Sequence, residues 1–443
     1  MNIVICCDYS SQSSGGAYRV AEEIAAELHN NGNNILFVNY GTKNEVINNI
    51  GIKFVRIISK GDDEVRFPLL NKVTIDFLNR QLLDFKPDII HAHHALTLST
   101  HIKTWANRNY IPFVYTSHEI PSSVINFIGF NKFIYYFLKT IAGLYFIRGY
   151  LNNFYLSCDG IIAINSRIYS EFAKYPIKLS IIPNGRDLKV FGSIPHKSLS
   201  KPIKLFYLGL FSHRKNQLFL LKTLKLLPRN YHLFLIGYPY EVAYLKECLN
   251  YIKVNNLKNV TILKGVKFNK IPNLIKQFHL FVSASLTEVQ SLAVLEAMAS
   301  GKPVVGISNY TIDEFVNTDN GAVLNNLCTP EDMALSIKDI SSSESIYSQK
   351  CEKARYRVRE NDINIIAHKT VAFYQEVIEE FKKEISTSKL RFVISKILVF
   401  GFTLISILMF LLYKIRDYFR NKNGDPAENR TPIAELRIPR PNR

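Results

Sequence analysis

Glu288 and Glu296 stand where a strand-like run gives way to a helical one, in the segment Ser283-Ala-Ser-Leu-Thr-Glu-Val-Gln-Ser-Leu-Ala-Val-Leu-Glu-Ala-Met-Ala-Ser-Gly-Lys-Pro-Val-Val305. A Ser/Thr loop ends the strand, and a helix is expected from Gln290 to Ser300, closed by Gly301 and Pro303. The start of that helix offers unpaired backbone N–H groups and partial positive charge, which suit a phosphate. Glu288, just ahead of the helix, can accept hydrogen bonds from sugar hydroxyls. Glu296, two turns in, can hold the paired hydroxyls of a ribose. Taken alone, two glutamates near a helix are more often a solvated face or a cap. A second group, His91, His93 and His94, puts two imidazoles on one face of a strand end. No carboxylate or cysteine lies near enough in sequence to complete a metal site, and the spacing of Glu288 and Glu296 suits a metal poorly. A structural or acceptor-pocket role is therefore expected of the histidines, and no metal.

Two α/β halves would position these groups. The first opens with strand Ile3–Cys7, a Gly-containing loop (residues 10–16) and helix Ala17–Asn30, with apolar residues at 20, 21, 24, 25 and 28. Gly32 and strand Ile35–Asn39 complete a βαβ unit. Short apolar runs at Asp88–His91, Phe113–Thr116 and Gly160–Ile164 suit buried parallel strands. A polar stretch with Pro195 and Pro202 reads as a linker. Strand candidates resume at Lys204–Leu208, Leu233–Ile236, Val260–Leu263, Leu280–Ser283 and Val304–Gly306. The expected units are 1–192, 193–385, a hydrophobic segment 390–413 and a basic tail 414–443. Ligands of doubly wound halves bind at strand C-terminal ends, so the cleft between the halves is the default site.

Composition narrows the class. The chain has 443 residues, 47% of them apolar, and carries 55 Lys+Arg against 37 Asp+Glu, a formal charge of +18. The apolar fraction excludes wholesale disorder. Six scattered cysteines without a C-x-x-C pair argue against a zinc ribbon, a disulfide scaffold or a thioredoxin-like site, and fit a reducing compartment. The basic excess permits nucleic acid, an anionic membrane or phosphate-bearing substrates. Met1–Cys7 lacks a basic leader and reads as a strand, so catalytic domains in the cytoplasm are expected. From Ile397 to Tyr413, seventeen residues carry no charge, flanked by Lys389, Arg391, Lys414 and Arg416. That run stands at the threshold of a membrane span, and basic flanks on both sides leave its orientation open. Residues 424–443 contain four Arg, four Pro and no Lys, unlike the Lys-rich body, and are expected to be disordered. Between His118 and Ser157 an aromatic run (Phe127, Tyr135, Tyr136 and Phe146 among others) interleaves with Lys132, Lys139 and Arg148. It suits either core helices or a lipid-facing surface. No RRM, KH or zinc pattern accompanies it, so nucleic acid is not expected as a partner.

The Glu288/Glu296 segment resembles the E-x7-E signature of glycosyltransferase family 4, and LEAMASGKPVV is especially close to it. Further motifs follow in the family order. They are Ser14-Gly15-Gly16-Ala17 with Arg19; Pro87-Asp-Ile-Ile-His-Ala-His-His94; Pro112-Phe-Val-Tyr-Thr-Ser-His118; Cys158-Asp-Gly-Ile-Ile-Ala-Ile-Asn-Ser166; Ile182-Pro-Asn-Gly-Arg-Asp187 with Phe191, similar to PNGVDxxxF; and Gly209-Leu-Phe-Ser-His-Arg-Lys-Asn216, similar to a GRLxxxKG phosphate loop. The resemblance covers most of residues 1–385. It implies a GT-B fold of two Rossmann-like doubly wound domains facing a cleft, here followed by a C-terminal hydrophobic helix. It also implies retention of anomeric configuration and no metal or other cofactor.

Residue by residue, the resemblance implies catalytic roles for Glu288, His118 and Lys215, and donor binding by Gly15, Gly16, Arg214, Lys215, Gln290, Ser291, Leu292 and Glu296. Gly16 would offer its N–H to a diphosphate, Lys215 would steady the leaving group, Glu288 would bind the sugar and Glu296 the ribose. The chain departs from the pattern at Leu210, where the loop usually has Arg, and at Val289-Gln-Ser291, where many members have Gly-Phe-Gly. The function so implied is transfer of a sugar from a nucleoside diphosphate to a lipid-linked or polysaccharide acceptor at a membrane. The rivals are a nucleotide-sugar epimerase of the same build and a catalytically silent glycan-binding scaffold. Retention of Glu288, Glu296, Lys215 and Gly16 disfavours the scaffold.

Overall fold

The computed structural model describes residues 1–10, 16–61, 66–121, 141–192 and 198–385. Within them the chain forms two sheets. The first half contributes β1 (Asn2–Ser10), β2 (Asn34–Gly41), β3 (Glu45–Asn49), β4 (Ile52–Gly61), β5 (Arg66–Pro68), β6 (Ile89–Ala92), β7 (Phe113–Ser117), β8 (Gly160–Ala163) and β9 (Lys178–Ile181). Their order is β3-β4-β2-β1-β6-β7-β8-β9, with β5 pairing β4. All neighbours are parallel except β3 and β5, which run antiparallel to β4. The second half contributes β10 (Ile203–Leu208), β11 (Tyr231–Ile236), β12 (Val260–Leu263), β13 (Leu280–Ser283), β14 (Val304–Ile307) and β15 (Gly321–Leu324), in the order β12-β11-β10-β13-β14-β15 and parallel throughout.

The central strands are buried on both faces because helices cover both sides of a parallel sheet. Hence β6, β7, β8, β13 and β14 bury every residue and read as short, largely apolar runs. Helix Gly16–Asn30 packs Tyr18, Ala21, Ile24, Ala25 and Leu28 against one face of the first sheet. Helix Thr97–Arg108 packs Leu98, Ile102 and Ala106 against the other. Each large apolar side chain so buried contributes about 1.5–3 kcal/mol.

The last described helix, Ile363–Ile385, follows the second half in sequence but does not belong to its core. Ile363, Ile366, Ala367, Phe373, Tyr374 and Val377 join Ile3, Ile5, Ile24 and Ile162 in the core of the first half. Chain order alone assigned this helix to the second unit. Its packing is on the first half. Where the chain crosses back, Arg186 N donates to the Asn361 carbonyl at 2.9 Å and Ile363 N to the Arg186 carbonyl at 2.9 Å. The two crossings between halves are thus hydrogen-bonded to each other. Segments 390–413 and 414–443, residues 11–15 including Gly15, and most of the aromatic stretch after His118 lie outside the described residues. Among the described residues, no helix is long and apolar enough to cross a membrane.

Candidate active site

Facing C-terminal strand ends bring the two halves' loops together. After β13, residues 284–291 lead into helix Leu292–Ala299, two residues later than the sequence suggests, with Ser291 extended as its cap residue. Gly16, at the head of the first helix, lies against the Leu292 side chain: a Cβ built on Gly16 would stand 3.5 Å from Leu292 Cδ1. The head of the second-half helix therefore meets the Gly16 turn across the cleft.

The loop after β10 supplies the cations. Leu210 offers its carbonyl to Gln217 Nε2 at 2.8 Å, and Phe211 is buried, so the loop is held by its backbone and one aromatic anchor. A short 3-10 turn, His213–Lys215, follows. Lys215 Nζ donates to Glu288 Oε1 in a close ion pair, and Arg214 Nη1 stands 4.0 Å from Glu288 Oε2. Arg214 also donates to the Thr287 carbonyl at 3.0 Å. Burial pushes the Lys215 ammonium below its ordinary pKa, and the Glu288 charge pulls it back up. Lys215, Arg214 and Glu288 thus form one cluster, although the sequence places them in separate motifs.

In the first half, His93 Nδ1 lies 2.9 Å from His118 Nε2, with the rings stacked. His91 is held between Tyr374 Oη and Thr116 Oγ1, each at 2.6 Å. Burial pushes His118 down to about 4 and His91 down to about 3, so both are neutral at physiological pH. The histidine cluster holds together by ring-to-ring and ring-to-hydroxyl contacts. Among the described residues, no group of three or more His, Cys, Asp or Glu is arranged to hold a metal ion.

Three of the residues assigned from the sequence are already engaged by other groups. Gln290 points away from the head of the helix. The Asn184 N–H donates to its Oε1 at 2.6 Å, and its Nε2 donates to the Ile164 carbonyl at 3.1 Å, while Asn165 Nδ2 reaches the Val289 carbonyl at 2.9 Å. Ser291 N–H is taken by Thr311 Oγ1 at 2.9 Å. Gln290 thus clamps the two halves together, and the N–H groups that a helix head leaves without intrahelical partners begin at Leu292. Glu296 is buried and already paired with Arg186, Nη2 to Oε1 at 2.6 Å.

Two residues with no assigned role also enter the cleft. Arg186, inside the 182–187 motif, gave no signal beyond a basic residue between Gly185 and Asp187. Glu119 directly follows His118, and that adjacency was its one clue. Burial pushes the Glu119 carboxyl up to about 6, while Arg214 of the other half pulls it down. A carboxyl held near neutrality is suited to proton transfer.

The family models for glycosyltransferase family 4 and glycosyl transferases group 1 match residues 14–190 and 193–361, respectively. The chain is 30% identical over 181 residues to UDP-Gal:alpha-D-GlcNAc-diphosphoundecaprenol alpha-1,3-galactosyltransferase of Escherichia coli; that match covers 38% of this chain and 43% of the relative, less than half its length. It is 20% identical over 328 residues to alpha-monoglucosyldiacylglycerol synthase of Acholeplasma laidlawii, covering 69% of this chain and 80% of the relative. Among solved structures, sucrose-phosphate synthase from Thermosynechococcus elongatus superposes with a TM-score of 0.68 at 15% identity, covering 85% of this chain and 99% of that one. HepE of Anabaena, in complex with UDP and glucose, superposes with a TM-score of 0.65 at 17% identity, covering 84% and 99%. At such identities the superpositions establish the two-domain GT-B fold.

Proposed function

Because the chain belongs to glycosyltransferase family 4, the group 1 glycosyl transferases, we propose that it moves a sugar from a nucleoside diphosphate to a lipid-linked or glycan acceptor at a membrane, with retention of configuration. One observation carries this reading. Lys215, Arg214 and Glu288 converge at one end of the cleft, beside the helix head that meets Gly16. Cations and a helix terminus suit a diphosphate, and a carboxylate suits sugar hydroxyls. The diphosphate takes Lys215 and Arg214 as partners, and Lys215 stabilises the charge that develops as the sugar–oxygen bond breaks. The acceptor hydroxyl attacks on the face the diphosphate leaves. The bonding electrons go to the departing phosphate oxygen, which takes the hydroxyl proton. No metal or other cofactor enters this scheme.

The names of the relatives support a lipid-linked acceptor, since one carries a diphosphoundecaprenol substrate and another a diacylglycerol. The uncharged run 397–413 and its basic flanks support a membrane anchor. Detergent-purified protein titrated with UDP-, GDP- and ADP-sugars is expected to show a raised melting temperature with at least one. A ligand at 100 times its Kd stabilises by about 2.7 kcal/mol. No shift and no sugar transfer or donor hydrolysis across the panel would refute the enzyme. Removing residues 390–443 is expected to release the protein from sedimented membranes; a truncated chain that stays bound would refute the anchor.

A further inference from the structure

We infer that Arg186 is a positioning residue for the nucleotide: it ties the two halves together and holds Glu296 as the anion that the donor's ribose hydroxyls require. The inference deepens the proposed function and rests on it. Arg186 has 1% of its side chain exposed, rare for an arginine, and it is ion-paired at both ends of its fork. Nη1 meets Glu23 of helix Gly16–Asn30, in the first half. Nη2 meets Glu296 of helix Leu292–Ala299, in the second half, at 2.6 Å. The guanidinium also stands 4.8 Å from the centre of the Phe268 ring, which Arg19 approaches at 4.2 Å. Its backbone belongs to the paired crossings between the halves. One side chain therefore touches both halves and the deeper of the two cleft carboxylates.

Burial alone raises the Glu296 carboxyl, and the Arg186 charge first, then Arg19, pulls it back toward ionisation. Glu23 is raised by burial as well and pulled back by Arg186. The other charges near Glu296 are few. Lys189 lies on the exposed 188–192 turn packed against its helix, and Lys302 and Arg355 lie beyond its C-terminal end. Without Arg186, two buried carboxylates would share Arg19 alone, and Glu296 would take up a proton as the pH falls. An ionised carboxylate accepts from both hydroxyls of a cis-diol, whereas a protonated one has given up part of that capacity. The bond from Nη2 to one oxygen also fixes the orientation of the other.

The experiment is calorimetric titration of the full chain with the nucleoside diphosphate identified in the donor panel, alongside its 3′-deoxy analogue, from pH 6 to pH 9. Arg186→Met is expected to raise Kd by about tenfold near pH 7, the loss of one hydrogen bond to a charged group. The deficit should widen toward pH 6, shrink toward pH 9, and be small for the 3′-deoxy analogue. Equal affinity at every pH, or the same loss for both nucleotides, would overturn the inference. Methionine between two buried carboxylates can prevent folding, so Arg186→Met combined with Glu296→Gln, which leaves no lone charge at that end, is measured too. Its affinity is expected to match Glu296→Gln alone; a further loss would show that Arg186 acts by another route and overturn the inference. A wild-type chain that binds no nucleoside diphosphate would overturn the proposed function along with it, whereas the other outcomes bear on Arg186 alone.

Discussion

Glu288→Gln is expected to lower kcat/KM for sugar transfer by about 10²–10³-fold, the scale of losing one preorganised electrostatic contact to the reacting group. Glutamine keeps the shape and a hydrogen-bonding end but not the charge. Two consequences follow from the geometry. The sugar loses its charged partner at the transition state, and Lys215 loses its counterion. The diphosphate competes with Glu288 for Lys215, so a nucleoside diphosphate without its sugar should bind Glu288→Gln at least as well as it binds the wild type. Transfer fails while product binding survives. Initial rates with the donor from the panel, calorimetry with the free diphosphate and a thermal melt separate these effects. Near wild-type turnover, or loss of diphosphate affinity along with activity, would refute the assignment.

How far the fold was legible depended on burial. Strands sandwiched between helices, such as Gly160–Ala163 and Val304–Ile307, are apolar throughout and stand out as runs. Edge strands do not. Glu45–Asn49 is antiparallel and largely exposed, Lys178–Ile181 is only part buried, and Gly321–Leu324 alternates. Ile52–Gly61 escaped because Lys53 and Arg56 interrupt its apolar residues, as expected of a strand with one wetter face. The last helix shows a different limit. Its amphipathic pattern announces a helix but not which half it packs on. That is set by shape, such as the Gly160 gap into which Phe373 and Val377 fit: a Cβ there would lie 2.7 Å from Val377 Cγ2.

The cleft divided along similar lines. Glu288, Lys215 and Gly16 were legible because short motifs with loop signals carry them, and the fold brings those loops together. Gln290 was read as facing phosphate because it precedes a helix. Two of its partners, Asn184 and the Ile164 carbonyl, belong to the other half, and no local pattern reports a contact across more than a hundred residues. Arg186 and Glu296 are the same case. Glu296 is a charge in an apolar helix and Arg186 a charge in a polar turn; only their pairing, with Glu23 closing the other end, makes the burial of both stable. Sequence motifs therefore report which loops meet in the cleft better than the contacts that hold them in place.

Lys215→Met should be the complement of Glu288→Gln, losing both transfer and affinity for the free nucleoside diphosphate. Methionine keeps the length of the stem and removes the ammonium, leaving Arg214 as the remaining cation of that loop. Arg214 is more exposed, 4.0 Å from Glu288 and already engaged with the Thr287 carbonyl, so it does not replace a buried charge. A loss of about 10²–10³-fold in kcat/KM is expected, the range for removing a group that stabilises a developing anion. The wild type carries a second signature. Burial holds Lys215 below the usual lysine range and Glu288 raises it, so once a diphosphate replaces Glu288 as partner the ammonium stays charged. In Glu288→Gln the ligand-free lysine loses that support, so its diphosphate affinity, at least that of the wild type near neutral pH where the first test is made, should fall at alkaline pH sooner than in the wild type. Equal affinity of wild type and Lys215→Met for the diphosphate would refute the role of Lys215, whatever happened to the rate.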